Sequence, residues 1–320
     1  MTFDFDPLIK ALDSYIAKAD DDLKDQLDDE GFIDADGTVK AESSLEDKIT
    51  QILENEQTAI ISILKDSDSI EDAVQKIIDR LGEDATVRDA MEAVFGEEMS
   101  TAVEKLASSY LEMLDSELSI DVMSDRTTDW IKSWSADLAD LMHLSTKDGV
   151  ESTLNTALKE GKSIEKVTSE LMDWYGFSRE RARKTAITEM LTAHSAAASE
   201  AYRQSPSVEK KRWRHTGAYK NHPRQNHVAM DGVEVLKNEP FELIGADGRT
   251  YHPDYPRDPV LPAAERVNCH CLLQAVVNSD ILGLTAEEKK KLQEQAIADD
   301  NDDWEKELDA KNKAKAGIDD

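Results

Sequence analysis

Cysteine is scarce in this chain of 320 residues, which contains only Cys269 and Cys271. Two cysteines cannot form the framework of bridges that stabilises small secreted proteins. A disulfide between residues i and i+2 would close a strained ring, so we expect free thiols or thiolates. Their spacing leaves two alternatives: a shared chemical site, or two small buried side chains that happen to be neighbours.

Long apolar runs are also absent, because no stretch approaches the roughly 20 residues that cross a bilayer. The first residues, MTFDFDPLIKALDSY, lack the basic flank and apolar run of a signal peptide. We therefore predict no membrane contact and expect the protein to be made in a cytoplasm. The sequence contains no nucleotide-binding loop, HExxH or GxSxG motif, and so lacks the signals of several enzyme classes.

Proline is nearly absent from the first two thirds of the chain, where Pro7 is the single proline before Pro206. The charge changes at the same place: the chain has a net charge of −30 and most of its acidic residues lie before Pro206. This contrast predicts an α+β protein in three parts. They are an acidic, mainly α-helical body over 1–206, a small hairpin-rich α+β module over 207–280 and a charged helical or disordered tail over 281–320.

Helical periodicity dominates the first part. In SIEDAVQKIIDRL and in TAVEKLASSYLEMLDSEL the apolar residues recur every three or four positions, which predicts amphipathic helices. The segment from SIEKV to ASEAY predicts two helices that Gly176 separates, with Ser178 as the N-cap of the second. Residues 29–45 are polar and predict a loop. In the tail, Thr285 and Glu288 predict a capping box, and the last residues, KELDAKNKAKAGIDD, are expected to be frayed or disordered.

Turn and strand signals replace this periodicity after Pro206. Asp231-Gly232 lies between two short alternating segments in HVAMDGVEVL, which predicts a tight hairpin. Asp247-Gly248 predicts a second turn, between FELI and RTYH. The segment NCHCLLQAVV predicts a strand, and residues two apart on a strand share a face. The two thiols are therefore expected to face the same side.

Two thiolates on one face can bind Zn²⁺, and imidazoles from nearby loops can complete a tetrahedral shell of two sulfur and two nitrogen ligands. His227 is the first candidate for the third ligand, with His252 or His222 as the fourth and Asp231 as an oxygen substitute. Structural zinc sites more often use Cys-x-x-Cys, so simple packing of both cysteines stays open as an alternative. The predicted metal ligands are Cys269, Cys271, His227 and His252.

The order of features from about residue 150 to 277 resembles the phage Mu protein F-like family of minor head proteins. The resemblance runs from RARKTAITEMLTAHSAAASEAY through KKRWRHTGAYKNHPRQNHVAMDGVEV, NEPFELIG and HPDYPRDPVLPAAE to VNCHC. His270 stands where the family commonly has an arginine between the cysteines. The resemblance implies a minor capsid protein of a tailed phage or prophage rather than an enzyme. It implies location in the virion head, and portal protein and major capsid protein as partners during assembly and DNA packaging.

Residues 210–224 combine basic and aromatic side chains without an acidic residue. Such a stretch can pair with phosphates and stack on bases, which predicts a local contact with packaged DNA or with a partner. The alternative is a solvated strand and loop that docks on the acidic body, and the net charge argues against general DNA coating. The candidate contact residues are Lys210, Lys211, Arg212, Trp213, Arg214 and Arg224.

A second function, from a different class, is a metal-dependent nuclease of the His-Asn-His type or a phage-associated toxin. In such a nuclease a histidine activates water and a metal stabilises the charge that develops on the phosphate. His227, Asn226 and His222 are the residues available for these roles. Such nucleases usually place a helix after the second strand, whereas NCHCLLQAVV continues as a strand. We therefore predict a structural protein and keep the nuclease as the alternative.

Overall fold

The computed structural model describes residues 19–216, 223–281 and 283–316. Most of these residues are helical and two small antiparallel sheets lie late in the chain, which confirms the predicted α+β class with a large helical body. Among the described residues, none of the helices combines the length and the apolar character that a bilayer span requires.

The chain forms two compact units. One consists of Glu42–Thr101 and Thr128–Glu189 and is helical. Of the described residues, the other contains those up to Ala41, Ala102–Thr127 and those from Met190 onward, including both sheets. The three-part division at residues 206 and 280 stays a prediction.

The helices agree with most of the periodic segments. Ser69 caps the helix over SIEDAVQKIIDRL by accepting a hydrogen bond from the Asp72 backbone nitrogen. Ser178 likewise accepts from the Arg181 nitrogen, so its predicted capping role is confirmed. Gly176 lies in a short 3-10 turn between the two predicted helices. The helices are α1 (19–30), α2 (Ala35–Lys65), α3 (Ile70–Glu83), α4 (Thr86–Leu114), α5 (Asp125–Glu160), α6 (Ile164–Met172), α7 (Arg179–Gln204), α8 (Gln225–Ala229), α9 (Ala263–Arg266) and α10 (Ala286–Ala316).

Two predictions of irregular structure are wrong. Most of the loop predicted over 29–45 is helix, because only a sharp turn with positive φ at Gly31 and Asp34 separates α1 from α2. The sequence pattern of α2 was missed because two of its buried positions are charged rather than apolar. Glu42 and Glu46 are buried there, and both pair with Arg183. In the tail, the capping box of Thr285 and Glu288 is confirmed, but α10 continues to Ala316. The final residues, 317–320, lie outside the described part.

Within the described residues, five strands form the two sheets. They are β1 (Val208–Arg214), β2 (Glu234–Leu236), β3 (Leu243–Ile244), β4 (Thr250–Tyr251) and β5 (Leu272–Val277). β1 is the central strand of the larger sheet and pairs antiparallel with β2 and β5, with Trp213 opposite Leu273. β3 and β4 form a small hairpin whose turn contains Gly248 at φ 77°, as Asp247-Gly248 predicted.

The hairpin prediction at Asp231-Gly232 is wrong for its first strand. The residues before the turn form helix α8, where the Met230 nitrogen donates to the His227 carbonyl oxygen at 3.2 Å. Gly232 does adopt positive φ, 81°, and its nitrogen donates to the Trp213 oxygen. The turn therefore leads α8 into β2, which pairs with β1 rather than with the segment before it.

Candidate metal centre

Two chain segments bring three of the predicted ligands together. His227 lies in α8, and the two cysteines lie between α9 and β5, before the strand that was predicted to hold them. One ligating atom from each of the three lies within 4.8 Å of the others, and all three residues are buried. His227 Nδ1 is 3.5 Å from Cys269 Sγ and 3.7 Å from Cys271 Sγ. The convergence predicted from sequence is present in the fold.

A turn and an arginine position the cysteines. Asn268 has φ 56°, and the Cys269 nitrogen donates to the Arg266 oxygen at 3.1 Å, so the chain reverses just before the first thiol. Arg257 is fully buried and donates to the carbonyl oxygens of Cys269 at 2.6 Å and Cys271 at 2.9 Å. Its other terminal nitrogen donates to Ser195 in α7, which fastens the cysteine segment to that helix.

Glu265 orients the histidine. Its Oε2 lies 2.9 Å from Nε2 of His227, and its Oε1 accepts from the Ala246 nitrogen at 2.7 Å. Burial raises the pKa of Glu265, but hydrogen bonds from Ala246 and Asn226 lower it overall. Because the ionised carboxylate can only accept, Nε2 of His227 carries a proton, and in the neutral ring the lone pair is on Nδ1, which faces the sulfurs. Trp213 packs edge-on against the same ring.

The two thiols are unequal. A hydrogen bond from Cys271 lowers the pKa of Cys269 well below its usual range, helped by the charge of Arg257 and opposed by burial. The same hydrogen bond, together with burial, raises the pKa of Cys271. One sulfur of the pair is therefore favoured as a thiolate.

The fourth nearby ligand atom belongs to His215, which the sequence analysis did not select. Its Nδ1 lies 3.6 Å from Cys271 Sγ, and its backbone nitrogen donates to Asp231 Oδ1 at 2.9 Å. The signal that could have found it is strand register. Arg214, the last residue of β1, pairs with Leu272, so the residue that follows β1 lies opposite Cys271.

The other predicted ligands lie elsewhere or outside the description. His252 is exposed after β4 and does not belong to the cluster. Asp231 supports the His215 backbone. His222 lies outside the described residues. Asn226, considered for a nuclease, donates to Glu265 and to the Ile244 oxygen.

The predicted contact stretch is largely engaged within the module. Lys211 and Trp213 are fully buried, so neither is available to stack on a base or pair with a phosphate. Lys210 and Arg212 lie next to Glu234 on the neighbouring strand. Arg224 donates to the Val267 oxygen at 2.7 Å, and Arg214 is exposed. β1 is thus the core strand of a sheet, not a free basic surface.

Comparisons with known proteins place these features in a wider group. A family model described as Phage Mu protein F like protein matches residues 148–274. The chain is 37% identical over 301 residues to the protein named Uncharacterized protein YqbB of Bacillus subtilis (strain 168). That alignment covers 92% of this chain and 98% of the relative. No solved structure gives a significant match.

Proposed function

Because this chain belongs to the Phage Mu protein F like family, we propose that it is a minor head protein of a tailed phage or prophage. Its role is structural, in the assembly of the head. The observation that carries the proposal is the extent of the family match. It begins within α5 and ends within β5, and it includes His227, Cys269 and Cys271 together with the nearby His215.

The proposed partners are the portal protein and the major capsid protein, met in the host cytoplasm during assembly and retained in the virion head. The net charge of −30 supports protein partners over DNA, since a phosphate backbone repels such a chain. The engagement of Lys210, Lys211 and Arg212 with acidic neighbours supports the same choice.

A non-enzymatic module is supported by the way its polar groups are used. A general base must reach the proton that it abstracts. His227 is instead 2% exposed, with one ring nitrogen on Glu265 and the other facing two sulfurs. Asn226 also binds Glu265. These groups act on one another, which fits a structural centre better than a hydrolytic one.

The experiment tests the protein in its own phage or induced prophage. Heads and portal-containing intermediates are separated on a density gradient, and this protein is quantified by mass spectrometry beside portal and major capsid protein. We expect it in these particles in far fewer copies than the major capsid protein. Absence from particles and intermediates at every stage of assembly contradicts the proposal.

A plasmid-nicking assay tests the alternative function, a metal-dependent nuclease. The purified protein is incubated with supercoiled plasmid and Mg²⁺, Mn²⁺ or Zn²⁺, and His227→Ala is compared with His252→Ala. Because His252 is exposed and outside the cluster, it serves as the matched control. We expect no cleavage by the wild type. Cleavage that His227→Ala abolishes and His252→Ala retains would replace the structural role with a metal-dependent nuclease.

A further inference from the structure

We propose that His215, His227, Cys269 and Cys271 form a closed zinc site with two nitrogen and two sulfur ligands. The residue after β1, helix α8 and the connection between α9 and β5 supply them. An ion held by all four fastens together three segments of a module whose sheets are small. The inference is independent of the role in assembly, because it concerns the fold of the isolated chain.

The sulfur-to-nitrogen distances are those of tetrahedral zinc. Bonds of about 2.3 Å to sulfur and about 2.0–2.1 Å to nitrogen put neighbouring S and N ligands about 3.6 Å apart. The Cys269–His227, Cys271–His227 and Cys271–His215 distances are 3.5, 3.7 and 3.6 Å. Simple packing of these side chains would not require the same sulfur-to-nitrogen distance in three separate pairs. These three pairs have the separations that a tetrahedral ion imposes. Of the four residues, only His227, Cys269 and Cys271 lie mutually within 4.8 Å, so His215 has to move closer to the other ligands to complete the shell.

The orientation of His227 is also that of a ligand. Glu265 holds the proton on Nε2, which leaves a single Nδ1 lone pair facing two sulfur atoms. Without an ion, that lone pair has at most weak S–H donors as partners. With Zn²⁺ bound, both sulfurs are thiolates and the lone pair is a metal bond. A carboxylate on the outer nitrogen of a ligating histidine is a common second shell of zinc sites.

The charges agree with a buried complex. Two thiolates without a counterion would be costly to bury, whereas two thiolates and Zn²⁺ are neutral together. Cys269 and Cys271 are each 3% exposed. Four protein ligands leave no open position for water, which makes the site structural rather than catalytic.

Metal content tests the site directly. Full-length protein is purified without chelators and with a phosphine reductant, and its metals are measured by plasma mass spectrometry. We expect about one zinc per chain. After chelation, added Co²⁺ is expected to give the intense visible bands of tetrahedral coordination and a thiolate-to-cobalt charge-transfer band. Less than about half an equivalent of zinc, with no charge-transfer band after reconstitution, overturns the proposal.

A pair of histidine variants tests the ligand set. His215→Asn removes the residue beside Cys271, and His252→Asn removes the exposed histidine that the sequence had suggested. Loss of an outer-shell partner costs about 10- to 100-fold in metal affinity, so we expect at least that from His215→Asn and no change from His252→Asn. Unchanged cobalt bands in His215→Asn would exclude His215, and altered bands in His252→Asn alone would assign the ligand there.

The thermal midpoint of the wild-type protein tests the site without relying on the folding of any variant. Zinc that binds only the folded chain raises the thermal midpoint with increasing free zinc. We expect this rise when chelated wild-type protein is titrated with Zn²⁺, and a smaller rise for Cys271→Ser if that variant folds. A midpoint independent of zinc in the reduced wild type contradicts the site.

Discussion

Glu265 and His227 form a buried pair in which Oε2 and Nε2 are 2.9 Å apart and both side chains are 2% exposed. The other oxygen of Glu265 accepts from the Ala246 backbone, in the turn between β3 and β4. The pair therefore ties helix α8 to the small hairpin. It also fixes which nitrogen of His227 faces the cysteines, and this makes Glu265 a positioning residue for the proposed metal.

Glu265→Gln is predicted to weaken zinc binding by about 10- to 100-fold. Glutamine keeps the volume of the side chain but removes the charge that increases the basicity of the ligating nitrogen. The dissociation constant is measured by competition with a chromophoric chelator. The control is Glu242→Gln, a nearby exposed position. Equal zinc affinity in Glu265→Gln and Glu242→Gln would remove Glu265 from the second shell.

Glu200→Gln is predicted to lower the free energy of unfolding by about 3 kcal/mol, since hydrogen bonds to a charged group contribute more than neutral ones. The Glu200 carboxylate is fully buried in α7. It accepts from the backbone nitrogen and hydroxyl of Ser124, both at 2.7 Å, and from Gln204 at 2.8 Å. Ser124 directly precedes α5, so the carboxylate also satisfies the start of that helix.

Urea unfolding followed by circular dichroism measures the effect of Glu200→Gln. Glu104→Gln, at an exposed helical position, controls for the substitution itself and is expected to change stability by less than about 0.5 kcal/mol. A loss in Glu200→Gln no larger than in this control would show that these hydrogen bonds contribute little.

We expect the two partners of the buried Lys211–Asp254 pair to differ in how much stability is lost when each is replaced. The Lys211 ammonium lies 3.3 Å from Asp254, which also pairs with Arg203. Asp254→Asn leaves the buried ammonium without its counterion and should cost about 3–5 kcal/mol. Lys211→Met leaves Asp254 paired with Arg203, so we expect near-neutral stability. The urea midpoints of the two variants measure these losses of stability. Equal losses in Asp254→Asn and Lys211→Met would contradict the prediction.

The same lysine predicts a pH dependence. Burial lowers the pKa of Lys211 to about 8, with Asp254 opposing the shift. The unfolded chain, with a lysine pKa of about 10.4, therefore binds more protons between pH 8 and 10.4, and stability from this group rises across that window. The wild type is expected to gain stability relative to Lys211→Met from pH 8 to pH 10. A constant difference between the two would contradict the shift.

The sequence was sufficient where a local pattern and burial agree. The period of SIEDAVQKIIDRL predicted α3 because its apolar residues form the buried face. Asp247-Gly248 predicted the hairpin of β3 and β4, since glycine adopts the positive φ that the turn requires. The convergence of His227 with the cysteines also followed from residue types. In the helix and the turn, neighbouring residues determine the result.

What the sequence missed depends on distant partners. His215 becomes a ligand candidate only through the register of β1 and β5, segments about sixty positions apart. Lys211 and Trp213 suggested a DNA contact by their residue types. The sequence did not reveal that they are buried, because they pack against residues much later in the chain, Asp254 and Phe241. The alternation in HVAMDGVEVL is too short to distinguish a strand from one turn of helix. Tertiary pairing decides such positions, and one sequence does not specify it.

His194 predicts acid sensitivity. It is fully buried, with Nε2 2.6 Å from the Thr38 hydroxyl and Nδ1 3.3 Å from Tyr110. The Thr38 hydroxyl donates to the Asp34 backbone oxygen, so it accepts from Nε2–H of the ring. Burial lowers the pKa of His194 to about 3, Arg257 acts in the same direction and Asp34 opposes both.

The sign of the pH effect follows from this lowered pKa. An unfolded histidine, with a pKa near 6.5, binds a proton that folded His194 does not bind until about pH 3. Stability from this residue is complete above about pH 6.5 and falls by about 1.4 kcal/mol per pH unit below it. His194→Gln should be less stable at pH 7 but lose less between pH 6 and 4, as measured by urea midpoints. Exposed His252→Gln should keep the wild-type slope, and the same slope in His194→Gln would assign acid sensitivity to other groups.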